Sequence, residues 1–189
     1  KVNKYWRNQK PRTNFTKPFI DPLFPPGLQS LLSLSKEPGK ENEPNDPCHY
    51  KKFKQEIDQI KQYSKNIKWV RAPKLVKNPV LYESIDINDI KQGLIGNCYF
   101  LSAICSFAEF PEIVKQIFKA DTLEDNGYYE LVFFIDGEWQ TVIIDDYIPI
   151  YDRRPLGARL SGNEIWVLLL EKAFAKINGG YTNMIGGKP

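Results

Sequence analysis

The sequence contains a single histidine, His49, among 189 residues. One imidazole excludes a metal site built from several histidines, and any imidazole-dependent catalysis must use His49 or a residue outside this chain. Long hydrophobic runs are also missing: residues 131–135 and 165–170 are far shorter than the ~18 residues of a membrane span. The sequence therefore predicts a soluble protein without a transmembrane segment.

Cysteine is scarce and irregularly spaced, at Cys48, Cys98 and Cys105, and there is no CxxC pair. An odd number of thiols cannot all form disulfides, and the absence of CxxC argues against structural zinc. The first residues show no secretory signal pattern. Together these features predict a reducing, intracellular compartment.

Proline is distributed unevenly, since more than half of the 14 prolines lie within residues 1–50. Each proline fixes φ and removes a backbone donor, which predicts an extended N-terminal arm rather than regular structure. Lysine and arginine outnumber acidic residues in the first 80 residues, and the balance reverses afterwards. We expect the basic arm to bind an acidic protein partner or a larger assembly. Nucleic acid is not expected, because the aromatic residues are not interleaved with the basic ones.

The rest of the chain divides into two predicted parts, with residues 51–80 forming a helix and a linker around the core and residues 81–189 forming the folded unit. The helix of residues 51–64 places four apolar side chains on one face: Phe53, Ile57, Ile60 and Tyr63. Residues 19–26 are apolar enough to dock on the core, and residues 28–34 favour a short helix.

Three local patterns predict the elements of the folded unit. The helix that begins at Cys98 is apolar on every side, so we expect it to be buried on every side. Asp136-Gly137 between two β-rich runs, residues 128–135 and 139–144, predicts a hairpin. Ser161 and Glu164 form a capping box before the next helix, which Gly179 ends. The fold class is therefore α+β.

Cys98 is the candidate nucleophile, because it is the first residue of a predicted helix entered through a glycine-containing loop. The unpaired amides and positive dipole of a helix start favour a thiolate. Gly96 permits a sharp turn, and the Gln92 amide is a candidate donor to an oxyanion. Cys105, two turns inside the helix, has nothing to activate it and is interpreted as a structural thiol.

These residues belong to a recognisable pattern. Residues 92–103, QGLIGNCYFLSA, resemble the active-site segment of the calpains, intracellular calcium-dependent cysteine endopeptidases of papain-like fold. Further segments resemble that family in order: IKWVR at 67–71, NPVLY at 78–82, GEW at 137–139, EIW at 164–166, LLEKAFAK at 169–176 and NGGY at 178–181. The resemblance implies a papain-like half-core, the first protease-core subdomain. Asn97 and Tyr99 depart from the Asp and Trp usual in the family.

The resemblance also assigns roles to individual residues. Cys98 matches the nucleophile and Gln92 the oxyanion-hole glutamine. The carboxylates of Asp89 and Glu164 and the main-chain carbonyls of Tyr82 and Ser84 match a calcium site, and oxygen ligands suit Ca²⁺. Both carboxylates have alternative interpretations, Glu164 as the capping-box residue and Asp89 as a turn or cap residue.

In the family, the catalytic His and Asn lie in a second subdomain, which would follow Pro189. His49 precedes the nucleophile, on the wrong side in chain order, so we expect this chain alone to be inactive. Two functions remain open. One is a calpain-like endopeptidase that makes limited cuts in extended polypeptides, and the other is a non-catalytic calpain-like scaffold or interaction module within a larger assembly.

Overall fold

The computed structural model describes residues 16–32, 47–160 and 162–186, with the backbone alone for residues 47–52 and 89. The helices in these ranges are α1 (Leu28–Leu31), α2 (Pro47–Tyr63), α3 (Cys98–Ala108), α4 (Pro111–Ile117) and α5 (Trp166–Asn178). The strands are β1 (Lys68–Arg71), β2 (Tyr128–Ile135), β3 (Glu138–Asp145), β4 (Tyr147–Tyr151) and β5 (Arg154–Pro155). Short 3-10 turns cover Ser64–Asn66, Ala72–Leu75, Ile87–Asp89 and Tyr181–Met184.

The strands form two small antiparallel sheets. β4 lies between β1 and β5, with Trp69 opposite Pro149. β2 and β3 form a hairpin whose two turn residues, Asp136 and Gly137, have φ of 53° and 83°. Positive φ at both positions is typical of a type I′ turn. The predicted hairpin is therefore confirmed at its predicted turn.

The helix buried on every side is α5, whereas the prediction assigned this burial to α3. Every α5 residue except Phe174 and Asn178 is buried, because this helix contributes to two hydrophobic clusters. In α3 the buried residues form one stripe, Phe100, Leu101, Ile104 and Ala108. Other positions are exposed, namely Ser102, Ala103, Ser106 and Phe107. Exposing a serine or alanine side chain to water costs little free energy. A helix without charged residues thus has an open face.

The two ends of α5 differ in how well the sequence predicts them. At its C-terminus Gly179 adopts φ 83°, and its N–H bonds the carbonyls of Ala175 and Lys176, which confirms the predicted cap. At its N-terminus the predicted capping box is wrong, because the helix begins at Trp166 and Ile165 is its N-cap, without a side-chain cap. Glu164 lies in a parallel β-bridge with Val80 instead. This long-range pairing places Glu164 in a β-bridge, so the helix begins two residues later, at Trp166.

The N-terminal segments pack on the core largely as predicted. Phe19 and Phe24 are buried, and the Phe19 N–H bonds the Asn126 carbonyl at 2.7 Å. The predicted amphipathic helix is confirmed as α2, with Ile60 in the cluster that also contains Phe24 and Tyr181. The short predicted helix is seen as α1, and residues 33 and 34 lie outside the described ranges. Most of the basic arm lies there too, so its acidic partner stays a prediction, as do the domain boundaries.

Buried ion pairs attach the arm to α5 and the sheets. Lys176 Nζ lies 2.7 Å from Asp21 Oδ2 and donates to the Ile143 carbonyl at 2.6 Å. Lys172 pairs with Asp145, and the backbone N–H of Asp21 donates to Asp145 Oδ2 at 2.8 Å. Charges this deeply buried require partners. The ion pair therefore connects Asp21 to Lys176 of α5, 155 positions later in the chain.

Candidate active site

The cysteine loop, residues 91–97, is held by a facing loop, residues 156–159. The N–H groups of Leu94 and Ile95 both bond the Leu156 carbonyl, at 2.9 and 3.2 Å. At the other end of the contact, the Arg159 N–H bonds the Lys91 carbonyl at 2.6 Å. The loops approach so closely that a methyl group at Gly93 would overlap the carbonyl oxygen of Gly157. The backbone leading to Cys98 is thus fixed by backbone contacts.

Cys98 is the first residue of α3, and it is exposed and free of disulfide bonds. The N–H groups of Phe100 and Leu101 bond the Asn97 carbonyl at 2.9 and 3.1 Å, which closes the first turn. Asn97 occupies the N-cap position but makes no side-chain cap. The thiol is therefore accessible at a helix start whose first-turn amides are not taken by the N-cap side chain.

Gln92 is exposed and lies on the same loop as the thiol, six residues before it. Its side-chain Nε2 donates to the Ile95 carbonyl at 3.1 Å. A primary amide has two N–H donors, and this bond uses one of them. Gln92 thus lies in the cysteine loop that leads to Cys98, and its amide is bonded to the backbone of that loop.

The side chain of Asn97 points inward to a buried carboxylate, Glu171, which the sequence analysis did not single out. Asn97 Nδ2 donates to Glu171 Oε1 at 2.7 Å, and the Ala158 N–H donates to both carboxylate oxygens at 2.9 Å. Glu171 is 1% exposed, and its burial raises its pKa to about 7 against the opposing effect of these bonds. The available sequence signal was the one acidic residue of a largely apolar helix whose other charged residues are Lys172 and Lys176.

Two other side chains of α3, Tyr99 and Cys105, have pKa values raised by burial. The Tyr99 ring packs edge-on against Phe174, with centroids 6.4 Å apart. Burial raises the pKa of Tyr99, and the nearby Cys98 raises it further, so the phenol stays neutral at physiological pH. Burial also raises the pKa of Cys105, which favours the thiol form. Cys105 is half-buried and suits the structural interpretation.

Two further segments contact Gly96, two residues before Cys98. From α2, the Glu56 carboxylate accepts a hydrogen bond from the Gly96 N–H. From the C-terminal segment, the Gly186 N–H bonds the Gly96 carbonyl at 3.1 Å. Phe53 of α2 packs so closely on Gly186 that a methyl group there would overlap its ring. The cysteine loop is therefore in contact with both an early helix and the last described residue.

The predicted calcium ligands are brought together in part. Glu164 Oε1 accepts hydrogen bonds from the Ser84 N–H at 2.8 Å and the Ser84 hydroxyl at 3.1 Å. The Tyr82 hydroxyl donates to the Ala120 carbonyl at 3.1 Å. Asp89 ends a short 3-10 turn, and its side chain lies outside the description. Among the described side chains, no group of three or more His, Cys, Asp or Glu residues forms a metal site.

One observation tests whether these residues suit a cation. Glu164 Oε2 is buried and has no hydrogen-bond partner among the described residues. An unpartnered carboxylate oxygen is costly, and a hard cation would satisfy it. The donor chemistry of Glu164 therefore fits Ca²⁺.

Comparisons with known proteins match this arrangement to a family. A model of the calpain family cysteine protease domain covers residues 19–189. The chain belongs to the calpain family. Calpain-5 of Caenorhabditis elegans is 34% identical over 180 residues, which cover 90% of this chain and 24% of that protein. The human calpain-1 catalytic subunit is 33% identical over 174 residues, covering 89% of this chain and 21% of that protein.

Plants contain similar proteins. The calpain-type cysteine protease DEK1 of Zea mays is 35% identical over 128 residues, 63% of this chain and 6% of that protein. The chain thus spans about a quarter or less of the calpain relatives that it matches. The mixed helical and antiparallel architecture fits a calpain protease-core domain. In the part of the chain that the structure describes, no helix has the length and apolarity to cross a bilayer.

Proposed function

We propose that this chain supplies the nucleophile half of a calpain-like cysteine endopeptidase core. The main support is the exposed Cys98 thiol at the start of α3, on a loop that also contains Gln92 and is braced by a second loop. Family membership makes proteolysis the chemistry to expect from that arrangement. In this proposal the chain is subdomain 1, and residues 1–50 and 51–80 are its arm and its wrapping segment.

The proposed reaction is acyl transfer. Cys98 Sγ attacks the carbonyl carbon of a peptide bond, and a new C–S bond forms as the carbonyl oxygen becomes an oxyanion. The Gln92 amide and a backbone N–H of the α3 first turn donate to that oxyanion. The C–N bond then breaks, the amine leaves with a proton, and water hydrolyses the thioester to release the acid and restore the thiol.

The proton acceptor in this reaction is a histidine, oriented by an asparagine, from a second subdomain that follows Pro189. The open face of α3 offers that subdomain a surface made of small side chains and one phenylalanine, with Ser102, Ala103, Ser106 and Phe107. The Gly186 N–H bonds the Gly96 carbonyl, two residues before Cys98. His49 lies on α2, and its side chain is outside the description.

Calcium completes the proposal as a regulator. Asp89 and Glu164 would supply carboxylates and Tyr82 and Ser84 carbonyl oxygens. A bound ion would add a positive charge between the start of α5 and the segment that precedes the cysteine loop. The substrates are extended polypeptides cut at a limited number of sites, in the cytoplasm or at the cytoskeleton.

Proteolysis of casein by the complete natural protein tests the proposal. We expect Cys98→Ala to abolish cleavage and Cys105→Ser, as the matched thiol control, to retain it. Gln92→Ala should lower kcat by about 100-fold, the usual cost of one oxyanion donor. Cleavage that persists in Cys98→Ala would rule out the nucleophile assignment. Cleavage by the isolated 189-residue chain would rule out the need for a second subdomain.

The scaffold alternative predicts a different result in the same experiment. In that case neither the complete protein nor the isolated chain would cleave casein, and Cys98→Ala would change nothing.

A further inference from the structure

We propose that Glu171 is a positioning residue for Cys98, acting through the two hydrogen-bond partners of its buried carboxylate. One partner is the side chain of Asn97, the residue that precedes Cys98. The other is the backbone N–H of Ala158, in the loop that braces the cysteine loop. This inference rests on the proposed function, because it takes Cys98 as the nucleophile.

The first partner determines what the N-cap side chain does. An asparagine at the N-cap normally turns its carbonyl oxygen to an N–H of the first helical turn. Here Glu171 binds the Asn97 amide at 2.7 Å, and α3 has no side-chain cap. Asn97 Oδ1 is consequently buried without a hydrogen-bond partner among the described residues. Glu171 thus keeps the N-cap side chain away from the first turn of α3. The Phe100 and Leu101 N–H groups bond the Asn97 carbonyl, so the earlier amides, those of Cys98 and Tyr99, are the donors proposed for a substrate oxyanion.

The second partner fixes the loop on which the cysteine loop rests. Both oxygens of Glu171 accept from the Ala158 N–H at 2.9 Å. The carboxylate lies so close to Gly157 that a methyl group there would overlap it. Residues 156 and 159 of the same loop hold Leu94, Ile95 and Lys91 through backbone bonds. One carboxylate therefore anchors the cysteine loop from both sides.

The protonation state of Glu171 changes within the physiological range. Burial raises its pKa to about 7, and the Ala158 and Asn97 bonds oppose that rise. Tyr181, which faces it from the last 3-10 turn, has a pKa raised well above 10.0 by burial and by Glu171, so that phenol stays neutral. Lys172 is directed to Asp145. An ionised acceptor makes a bond roughly twice as strong as a neutral one, so Asn97 is held more firmly above pH 7.

Asparagine at position 97 suits this arrangement better than aspartate. An amide donates to ionised Glu171, and after a flip it accepts from the protonated acid. An aspartate at the same place would put two carboxylates in direct contact in a buried site. Such a pair retains a shared proton, and the second ionisation moves to higher pH. The identity of residue 97 thus sets the pH at which the anchor becomes charged.

The test measures alkylation of Cys98 by iodoacetamide in the full chain between pH 5.5 and 9, with each labelled peptide quantified by mass spectrometry. We expect the Cys98 rate to show an inflection near pH 7 in addition to the titration of the thiol itself. Glu171→Gln and Asn97→Ala should abolish the inflection, and Asn97→Asp should move it up by about one pH unit or more. Glu112→Gln, at an exposed carboxylate, is the matched control and should leave it unchanged.

The outcomes separate this inference from the proposed function. A wild-type profile without the inflection, or one that Asn97→Ala and Asn97→Asp leave in place, would overturn the positioning role even if Cys98→Ala abolishes proteolysis. If the inflection behaves as expected while proteolysis survives Cys98→Ala, the positioning of the thiol holds and the nucleophile assignment fails. The two Asn97 variants keep the carboxylate, so the test does not depend on Glu171→Gln folding normally.

Discussion

Loss of the Asp21 carboxylate should destabilise the protein by about 3 kcal/mol, near the lower end of the cost of breaking a buried ion pair. Asp21 is 0% exposed and Lys176 is 2% exposed, with Oδ2 and Nζ 2.7 Å apart. In Asp21→Ala, the ammonium group retains the Ile143 carbonyl and the more distant charge of Asp145. The Ile143 carbonyl and Asp145 therefore reduce the free-energy cost of leaving the Lys176 ammonium without Asp21, but they do not remove it.

Urea unfolding followed by circular dichroism measures this effect. With a denaturant slope of about 2 kcal/mol per M, the midpoint should fall by about 1.5 M. Burial lowers the pKa of Lys176 and Asp21 opposes this, so removal of Asp21 lets the buried lysine lose its proton more easily. The deficit of the variant should therefore be largest at low pH and shrink as pH rises, because a neutral lysine needs no countercharge.

Two controls make the reasoning refutable. Asp58→Ala removes the partner of Lys61 from an exposed pair 3.8 Å apart, and it should cost less than about 0.5 kcal/mol. Asp21→Leu combined with Lys176→Met should recover most of the lost stability, because an apolar pair of similar volume needs no charge compensation. A loss below about 1 kcal/mol in Asp21→Ala, or a double variant no better than the single, would refute the assigned role of the pair.

Three other predictions follow from the site. In the folded protein the pKa of Glu171 is about 7, raised from 4.5. Its contribution to stability is therefore present below pH 4.5 and should fall by about 3 kcal/mol as pH rises through 7. The free energy of unfolding of Glu171→Gln, measured at several pH values, should lack this dependence. Gly93→Ala should cost more stability by urea unfolding than Gly137→Ala, because only the former meets backbone, at Gly157. Titration calorimetry should detect calcium binding that Glu164→Gln weakens, and absence of heat with the wild type would remove the metal proposal.

Features set by nearby residues were predictable from the sequence. The hairpin turn at Asp136-Gly137 and the end of α5 at Gly179 depend on positive φ within one or two residues. The amphipathic face of α2 depends on a period of 3.6 residues. Each of these signals is contained within one short segment, and each prediction is confirmed.

Features set by distant contacts were not predictable in the same way. Glu164 satisfied the capping pattern, but pairing with Val80, 84 residues earlier along the chain, held its backbone extended. The composition of α3 indicated burial on every side, but burial depends on the packing of neighbouring elements, which only the fold defines. The candidate site shows the same division, since Cys98 and Gln92 are marked by their loop, whereas the partners of Glu171 are 13 and 74 residues away.

The hydrogen bond between Gly186 and Gly96 has a consequence for binding energetics. Gly186 bonds Gly96, which lies two positions before Cys98. In the proposed two-part core, the encounter of Cys98 with a second subdomain of the same chain is intramolecular. Groups joined by a short flexible linker meet at effective concentrations in the mM range. At such concentrations, a contact surface worth only about 4 kcal/mol, equivalent to a Kd near 1 mM, keeps both sides associated for much of the time. A weak interface is then sufficient for assembly of the site, and a weak interface is one that small regulatory energies are able to open or close.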